Sequence, residues 1–458
     1  MSKSKATWSL SRWLEYIQAQ HPREIELGLE RVEEVARRLA LPLHRTRDDS
    51  LAPLIITVAG TNGKGSCVAM LAAIFQADGK RVGTYTSPHI LRFNERIRIA
   101  GSDARDELIC QGFARIEASR QDVSLSYFEY ATLAALLLFQ EASLDVLILE
   151  VGLGGRLDAV NIVTPDLTLI TNIDLDHQDW LGNTRELIGR EKAGILRPET
   201  PLIYGDADLP ESISVHAAAL QAPVYQLGKD YGFKKSLAQD SECWYWYGHD
   251  AAGQFCELPE LPQPALDLCN AATVLQVLHL LADPPDRKAI NTGLEQLTLA
   301  GRFQEIRDNT RRRTVLLDVA HNPHAAANLA AKLLNLKLQR SNPARPVQIH
   351  LLLAMMHDKD HKGFFDSLEK VVDFWYIAHF DQPRCQPAER LLQTLHEHAL
   401  SQHSCPRFQG AFKTVGEAYQ TAADKAGEND IIIACGSFVT VAEMMHLLTE
   451  SAPGSELH

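Results

Sequence analysis

The stretch 58–66, Val-Ala-Gly-Thr-Asn-Gly-Lys-Gly-Ser, places three glycines, a lysine and two hydroxyls within nine positions. Where such a run follows a buried strand and opens a helix, its backbone N–H groups and the helix N-terminus cradle phosphate oxygens. Lys64 then supplies a point charge to the outer phosphates. Ser66 offers a hydroxyl in the first helical turn, where a phosphate or a nucleotide-bound Mg²⁺ is met. The spacing departs from GxxxxGK[ST], because Gly60 stands too close to Gly63 and Gly65 intrudes before Ser66. A glycine-rich turn without a ligand is the bland alternative.

Further chemistry-bearing groups follow. Glu150 ends an apolar run and precedes Val-Gly-Leu-Gly-Gly-Arg-Leu-Asp158. A carboxylate there needs a partner, and a metal ion is one. A cap beside a loop is the other possibility. Asn172-Ile-Asp-Leu-Asp-His177 also follows an apolar run, and reads either as a metal site or as a turn whose Asn and Asp cap the next helix. Mg²⁺ prefers oxygen, so His177 is an awkward ligand on chemistry alone. Lys192 by itself reads as a solvated charge. Arg302, and Asp318 of Asp-Val-Ala-His-Asn-Pro, are consistent with a nucleotide or, for Asp318, with a helix cap.

Alternating strands and helices must position these groups. Apolar runs at 54–59, 81–86, 144–151, 166–173 and 201–205 read as strands, with helices at 67–77, 184–195 and 265–281. This rhythm indicates a parallel α/β sheet. Residues 227–264, with Cys-Trp-Tyr-Trp-Tyr-Gly, suggest an antiparallel excursion. After the polar break at 307–313, a new series of strands is expected at 314–319, 346–354, 373–379 and 430–435. The boundary is placed at Gly301, giving domains 1–300 and 301–458.

The chain has 458 residues, 45% hydrophobic, with 45 basic and 58 acidic side chains and a net charge of −13. That balance disfavours nucleic acid and anionic membranes as partners. Apolar stretches such as 131–139 fall far short of the roughly 20 residues of a membrane span. No signal peptide is read at the N-terminus. Eight scattered cysteines without a CxxC pair fit reduced thiols in a cytoplasm.

Taken in order, 60–66, Thr-Ser-Pro-His-Ile-Leu-Arg-Phe-Asn-Glu-Arg-Ile at 86–97, Ser-Tyr-Phe-Glu-Tyr at 126–130, 149–161, Asp-His-Gln-Asp-Trp-Leu-Gly at 176–182, 189–195, Asn-Ala-Ala-Thr at 270–273, Gly-Arg-Phe-Gln at 301–304 and 318–326 closely resemble the bacterial bifunctional dihydrofolate synthase/folylpolyglutamate synthase family of the Mur ligase superfamily. The resemblance covers about Trp8 to Glu443. It implies a Mur-ligase-like α/β fold: a P-loop, parallel-sheet ATP-binding N-terminal domain, then a smaller Rossmann-like C-terminal domain completing the active site. The implied enzyme is a cytoplasmic, monomeric, ATP-dependent ligase that adds L-glutamate to 7,8-dihydropteroate and to reduced folates through an acyl phosphate.

The site residues implied by the resemblance follow the same positions. Thr61, Asn62, Gly63, Lys64, Gly65 and Ser66 would hold ATP phosphates, with Asn270, Arg302 and Asp318 also on ATP. Ser87 and Glu150 would bind one Mg²⁺. His177, with Glu150, would hold a second. Lys192 would be N-carboxylated and act as an anionic oxygen ligand. Lys64, Lys192 and His177 would be the catalytic groups. Dihydropteroate would lie against Ser126, Tyr127, Phe128 and Glu129, against Leu157, Asp158 and Ala159, and near His21 and Pro22. His321 receives no role.

Overall fold

The computed structural model describes residues 5, 7–20, 26–43, 52–235, 243–311, 313–341 and 346–450. The chain divides into two compact units, Met1–Leu297 and Thr298–His458. In the first, eight strands form one sheet: β1 (Leu54–Ala59), β2 (Val82–Tyr85), β3 (Ile97–Ile99), β4 (Ser102–Asp103), β5 (Val146–Glu150), β6 (Leu167–Ile170), β7 (Leu202–Tyr204) and β8 (Val224–Gln226). Their order is β4-β3-β2-β5-β1-β6-β7-β8. The six strands from β2 to β8 in that order run parallel, and β3 and β4 add an antiparallel edge.

The central strands are aliphatic on both faces because helices cover both sides of a parallel sheet. Every residue of β5 and β6 is buried. The run 131–139 lies inside the helix Tyr127–Glu141, apolar all round because it packs on the helix Asp106–Arg120 and into the main core cluster.

Strand order decides where ligands can gather. Chain order reverses at β1, whose neighbours are β5 on one side and β6 on the other. Loops leaving the carboxyl ends of such strands diverge and open a crevice. The loops after β2, β5, β1 and β6 therefore emerge side by side, and they carry Ser87, Glu150, residues 60–63 and residues 171–177.

The antiparallel excursion is present as β9 (Gly232–Lys235), β10 (Cys243–His249) and β11 (Phe255–Pro262), in the order β11-β10-β9. Alternation in β10 turns Trp244 and Trp246 inward, and the Trp246 indole donates to Ala272 O.

The second unit holds β12 (Gln304–Asp308), β13 (Arg313–Leu317), β14 (Ile349–Leu353), β15 (Phe374–Ala378), β16 (Arg407–Phe412) and β17 (Ile431–Cys435), ordered β12-β13-β17-β14-β15-β16. All pairs are parallel except β12 with β13. His350 of β14 is buried in this sheet, with Nδ1 3.0 Å from the Tyr376 hydroxyl and its ring 4.7 Å from Phe374. Burial lowers its pKa, helped by Arg313, against the pull of Asp430 and Asp373.

An unfolded histidine takes up a proton near pH 6.5, whereas buried His350 resists it. The unfolded chain thus binds more protons in that range, and stability falls as pH drops below about 6.5. Thermal unfolding between pH 7.5 and 5.5 should slope downward, and less steeply in His350→Gln. Equal slopes would count against this account.

Candidate active site

Gly60 and Gly63 shape the phosphate loop. Gly60 has φ +141°, and a Cβ there would lie 1.8 Å from Thr171 Oγ1. Gly63 has φ +86° and carries the Asn270 amide, whose oxygen would be 2.6 Å from an added Cβ. Only glycine serves where positive φ and close packing coincide. The helix Lys64–Ala77 begins immediately afterwards, without a side-chain cap on its first N–H groups. Ser66 is buried in its first turn.

The turn after β6 braces this loop. Thr61 N donates to Asn172 O at 3.0 Å and Asn62 N to Asn172 Oδ1 at 2.9 Å. The Thr61 hydroxyl donates to Asp174 O and accepts from Asp174 N, while the Thr171 hydroxyl donates to Asn62 O. Asn172 and Asp174 therefore do not cap the next long helix; Thr184 does that, accepting from Leu187 N. Asn172 and Asp174, read from the sequence as metal-site or capping residues, thus brace the loop together with Thr171, which the sequence alone did not single out. Their role depends on β1 and β6 being neighbours, with Ala59 opposite Ile170.

Two lysines meet at one carbonyl. Lys64 Nζ donates to Gly60 O at 2.9 Å and to Thr61 O at 3.1 Å. Lys192, from the helix Arg185–Ala193, is buried and donates to the same Gly60 O at 3.0 Å. Burial and the Lys64 charge bring the Lys192 pKa down to about 7, against Asp176 and Asp158. Burial of this kind favours the neutral amine, so Lys192 is not a solvated surface charge.

Glu150 ends β5 in a buried position and accepts from Ser87 N at 3.1 Å. Its oxygens lie 3.8–4.0 Å from where a Cβ on Gly65 would stand, so the carboxylate faces the helix start. Among the described residues no group of three His, Cys, Asp or Glu converges into a metal cage. Mg²⁺ needs none: it takes one or two carboxylates and completes its shell with phosphates and water. A buried carboxylate that meets Ser87 N and faces the start of the loop helix fits that habit. His177 stands on the turn after β6 with φ +51°, starting the short helix Gln178–Leu181, and its N–H meets Asp176 Oδ1 at 2.8 Å.

The acceptor candidates form a second group. Ser126 and Glu129 cap the helix Tyr127–Glu141 reciprocally: Ser126 N donates to Glu129 Oε2 and Glu129 N to Ser126 Oγ. Glu129 also pairs with Arg31 at 3.0 Å. These two side chains hold the helix start and leave Tyr127 and Phe128, both half-buried, to offer ring surface. The Phe128 ring lies 5.9 Å from Tyr85 and packs on Gly152. Asp158 is buried, and its carboxylate accepts from Leu153 N at 2.8 Å and Val160 N at 3.0 Å. Burial raises its pKa to about 6 in spite of those donors. It thereby fixes the glycine loop beside Phe128, with Leu157 half-buried and Ala159 buried next to it.

His21 and Pro22 lie outside the described residues. The segment that does reach the acceptor group is 26–31: Gly28 N donates to Leu157 O, and Arg31 joins Glu26 to Glu129. Arg31 and Gly28 carried no motif signal, because both contacts are made across more than ninety residues of chain.

In the second unit, Asp318 accepts from Phe303 N at 2.9 Å and Ala320 N at 2.8 Å, which ties down the turn containing Arg302. The Arg302 guanidinium lies 5.3 Å from the Phe438 ring. The helix Pro323–Arg340 is capped by Asn322, not by Asp318. His321 Nδ1 donates to Val319 O.

Comparison with known proteins matches residues 58–234 to the Mur ligase middle domain and residues 301–438 to the Mur ligase, glutamate ligase domain. The dihydrofolate synthase/folylpolyglutamate synthase of Escherichia coli (strain K12) is 40% identical over 452 residues, covering 99% of this chain and 98% of that protein. Among solved structures, E. coli FolC in complex with DHPP and ADP superposes with a TM-score of 0.86 at 40% identity, over 97% of this chain and 99% of that one. A bifunctional folylpolyglutamate synthase/dihydrofolate synthase with Mn, AMPPNP and L-glutamate bound gives a TM-score of 0.84 at 43% identity, with the same coverage.

Proposed function

The chain belongs to the dihydrofolate synthase/folylpolyglutamate synthase family of Mur ligases, and from that premise we propose how its residues divide the work. It is an ATP-dependent ligase that joins L-glutamate to 7,8-dihydropteroate and to the glutamate tail of reduced folates. A carboxylate is a poor acyl donor at neutral pH. One of its oxygens attacks the γ-phosphorus, the bond to the bridging oxygen breaks, and ADP leaves. The glutamate amine then attacks the acyl carbon of the acyl phosphate, loses a proton, and phosphate departs.

In this proposal the loop Thr61–Ser66 and the helix behind it hold the phosphates in line. Lys64 neutralises charge on the γ-phosphoryl group, and positioning plus charge neutralisation supply most of the acceleration. Asn270, Arg302 and Asp318 serve ATP, with residues 1–300 as the ATP- and pterin-binding domain and 301–458 as the domain that completes the active site. Ser87 and Glu150 hold one divalent cation, and Glu150, His177 and carboxylated Lys192 a second. Bound there, Mg²⁺ polarises phosphoryl oxygens as a Lewis acid. Tyr127 and Phe128 offer flat surfaces to the pterin and benzoyl rings, with Leu157–Ala159 opposite. The protein acts as a single chain in the cytoplasm on small-molecule substrates. No helix among the described residues is long and apolar enough to cross a membrane.

The observation that carries this reading is the pair of lysines on Gly60 O, beside Glu150, at the point where strand order reverses. Its test is an assay of phosphate release from ATP. Release should require both L-glutamate and dihydropteroate or tetrahydrofolate. Equal release without either would make the protein a nucleotide switch instead.

Carboxylation of Lys192 has its own chemistry. The neutral amine adds to CO₂ and loses a proton, giving an anionic carbamate. That step replaces a repulsion from Lys64 with an attraction. Lys192→Ala should lose about a hundredfold or more in kcat, with partial recovery in added acetate or formate. Absence of any recovery would leave the carbamate without support.

A further inference from the structure

Arg96 is 8% exposed, yet its charge is unmatched. Among the described residues its one side-chain hydrogen bond runs from Nε to His89 Nδ1 at 2.8 Å. Among the described residues it forms no ion pair, and its guanidinium instead faces the rings of Phe93 at 5.7 Å and Tyr127 at 5.6 Å. His89 accepts that hydrogen bond through a ring nitrogen and supplies no negative charge.

Part-buried arginines of this unit find other partners. Arg197 donates to the carbonyls of Gly194, Ile195, Leu196 and Asn161. Arg31 pairs with Glu26 and Glu129. A guanidinium largely shielded from water without an anion or a set of carbonyls is costly, and such groups persist where a ligand supplies the missing charge.

Its position narrows the ligand. Thr86 N donates to Arg96 O at 2.9 Å, which closes the loop that carries Ser87. The Glu95 carboxylate fixes the interior of that loop by accepting from the N–H groups of Ile90, Leu91 and Arg92. Arg96 therefore closes the loop that carries the candidate metal ligand Ser87, and its guanidinium lies 5.6 Å from the ring of Tyr127 on the acceptor wall. Resting on the acceptor and metal assignments above, we propose that Arg96 is a substrate-binding residue whose guanidinium receives a substrate carboxylate at the junction of these two groups. Two substrates carry one: the pterin acceptor, through the group that will be activated, and L-glutamate.

Arg96→Met keeps the length and removes the charge, and Arg96→Lys keeps the charge and loses the planar fork. Binding of dihydropteroate, and of its analogue lacking the benzoate carboxylate, is measured by calorimetry on the full chain with ADP and Mg²⁺. KM for L-glutamate is measured alongside, and folding is checked by circular dichroism. The unaltered protein should prefer dihydropteroate over the analogue by about tenfold or more. In Arg96→Met that preference should vanish through weaker dihydropteroate binding, with the analogue unaffected. A tenfold rise in glutamate KM alone would assign the bound carboxylate to glutamate. Should both quantities stay within about twofold in a folded Arg96→Met, or in Arg96→Lys if the methionine variant does not fold, the proposal is overturned. Failure of the unaltered chain to bind any pterin would instead bring down the acceptor assignment on which this one stands.

Discussion

Lys64→Ala should remove about a thousandfold or more of kcat for both acceptors while leaving the thermal midpoint within a degree or two of the unaltered protein. The expectation of unchanged stability follows from what the side chain touches. Its Nζ contacts two loop carbonyls, Gly60 O and Thr61 O, and the residue is not part of the core. Those carbonyls can be satisfied by water in the variant. The catalytic loss is larger than a missing phosphate contact alone implies. The Lys64 charge helps to hold Lys192 down near 7. Removing it raises the Lys192 pKa and leaves less free amine for carboxylation. Phosphate release with dihydropteroate and with tetrahydrofolate, together with a melting curve, checks both halves. Retention of more than a tenth of kcat would mean that Lys64 is not the residue that neutralises the transferred phosphoryl group.

Gly60→Ala should behave oppositely, with stability and nucleotide binding failing together. The new methyl would lie 1.8 Å from Thr171 Oγ1 and 3.0 Å from Thr171 N, with the backbone at φ +141°. Side-chain rotation can relieve the first clash but not the second, nor the backbone strain. A loss of about 3 kcal/mol is expected. Gly60→Ala/Thr171→Ala should recover only part of it. Gly65→Ala is the contrast, since its nearest contact would be Glu150 at an ordinary 3.8 Å. Urea unfolding of the four proteins, with an ADP titration of each, measures the difference. Equal midpoints for Gly60→Ala and Gly65→Ala would refute the packing argument.

Much of the framework around the candidate site was legible in the sequence because its signals are local. The aliphatic run 54–59 is β1 to the residue, and a glycine-lysine-serine turn right after it marks the phosphate loop without help from elsewhere in the chain. Strands buried on both faces announce themselves in the same way, and 144–151, 166–173 and 430–435 each contain one. What escaped was half-exposed or long-range. Residues 304–308 and 407–412, polar and interrupted, form the two edge strands of the second sheet, where only one side is paired. The bracing role of Asn172 required knowing that β6 lies beside β1. Ser126 and Glu129 show a different gap. Their Ser-x-x-Glu spacing is that of a capping box, a structural duty readable from the sequence and present in the fold.

The way residues 171–174 grip Thr61 and Asn62 bears on what could be transplanted from this protein. A designer who copied only the first strand, its glycine turn and the following helix would carry off an underdetermined fragment. The portable module is a pair of adjoining strand ends, separated by more than a hundred residues of intervening chain. Recombination that shuffles contiguous segments would separate the two halves, so the motif is best inherited with its whole sheet.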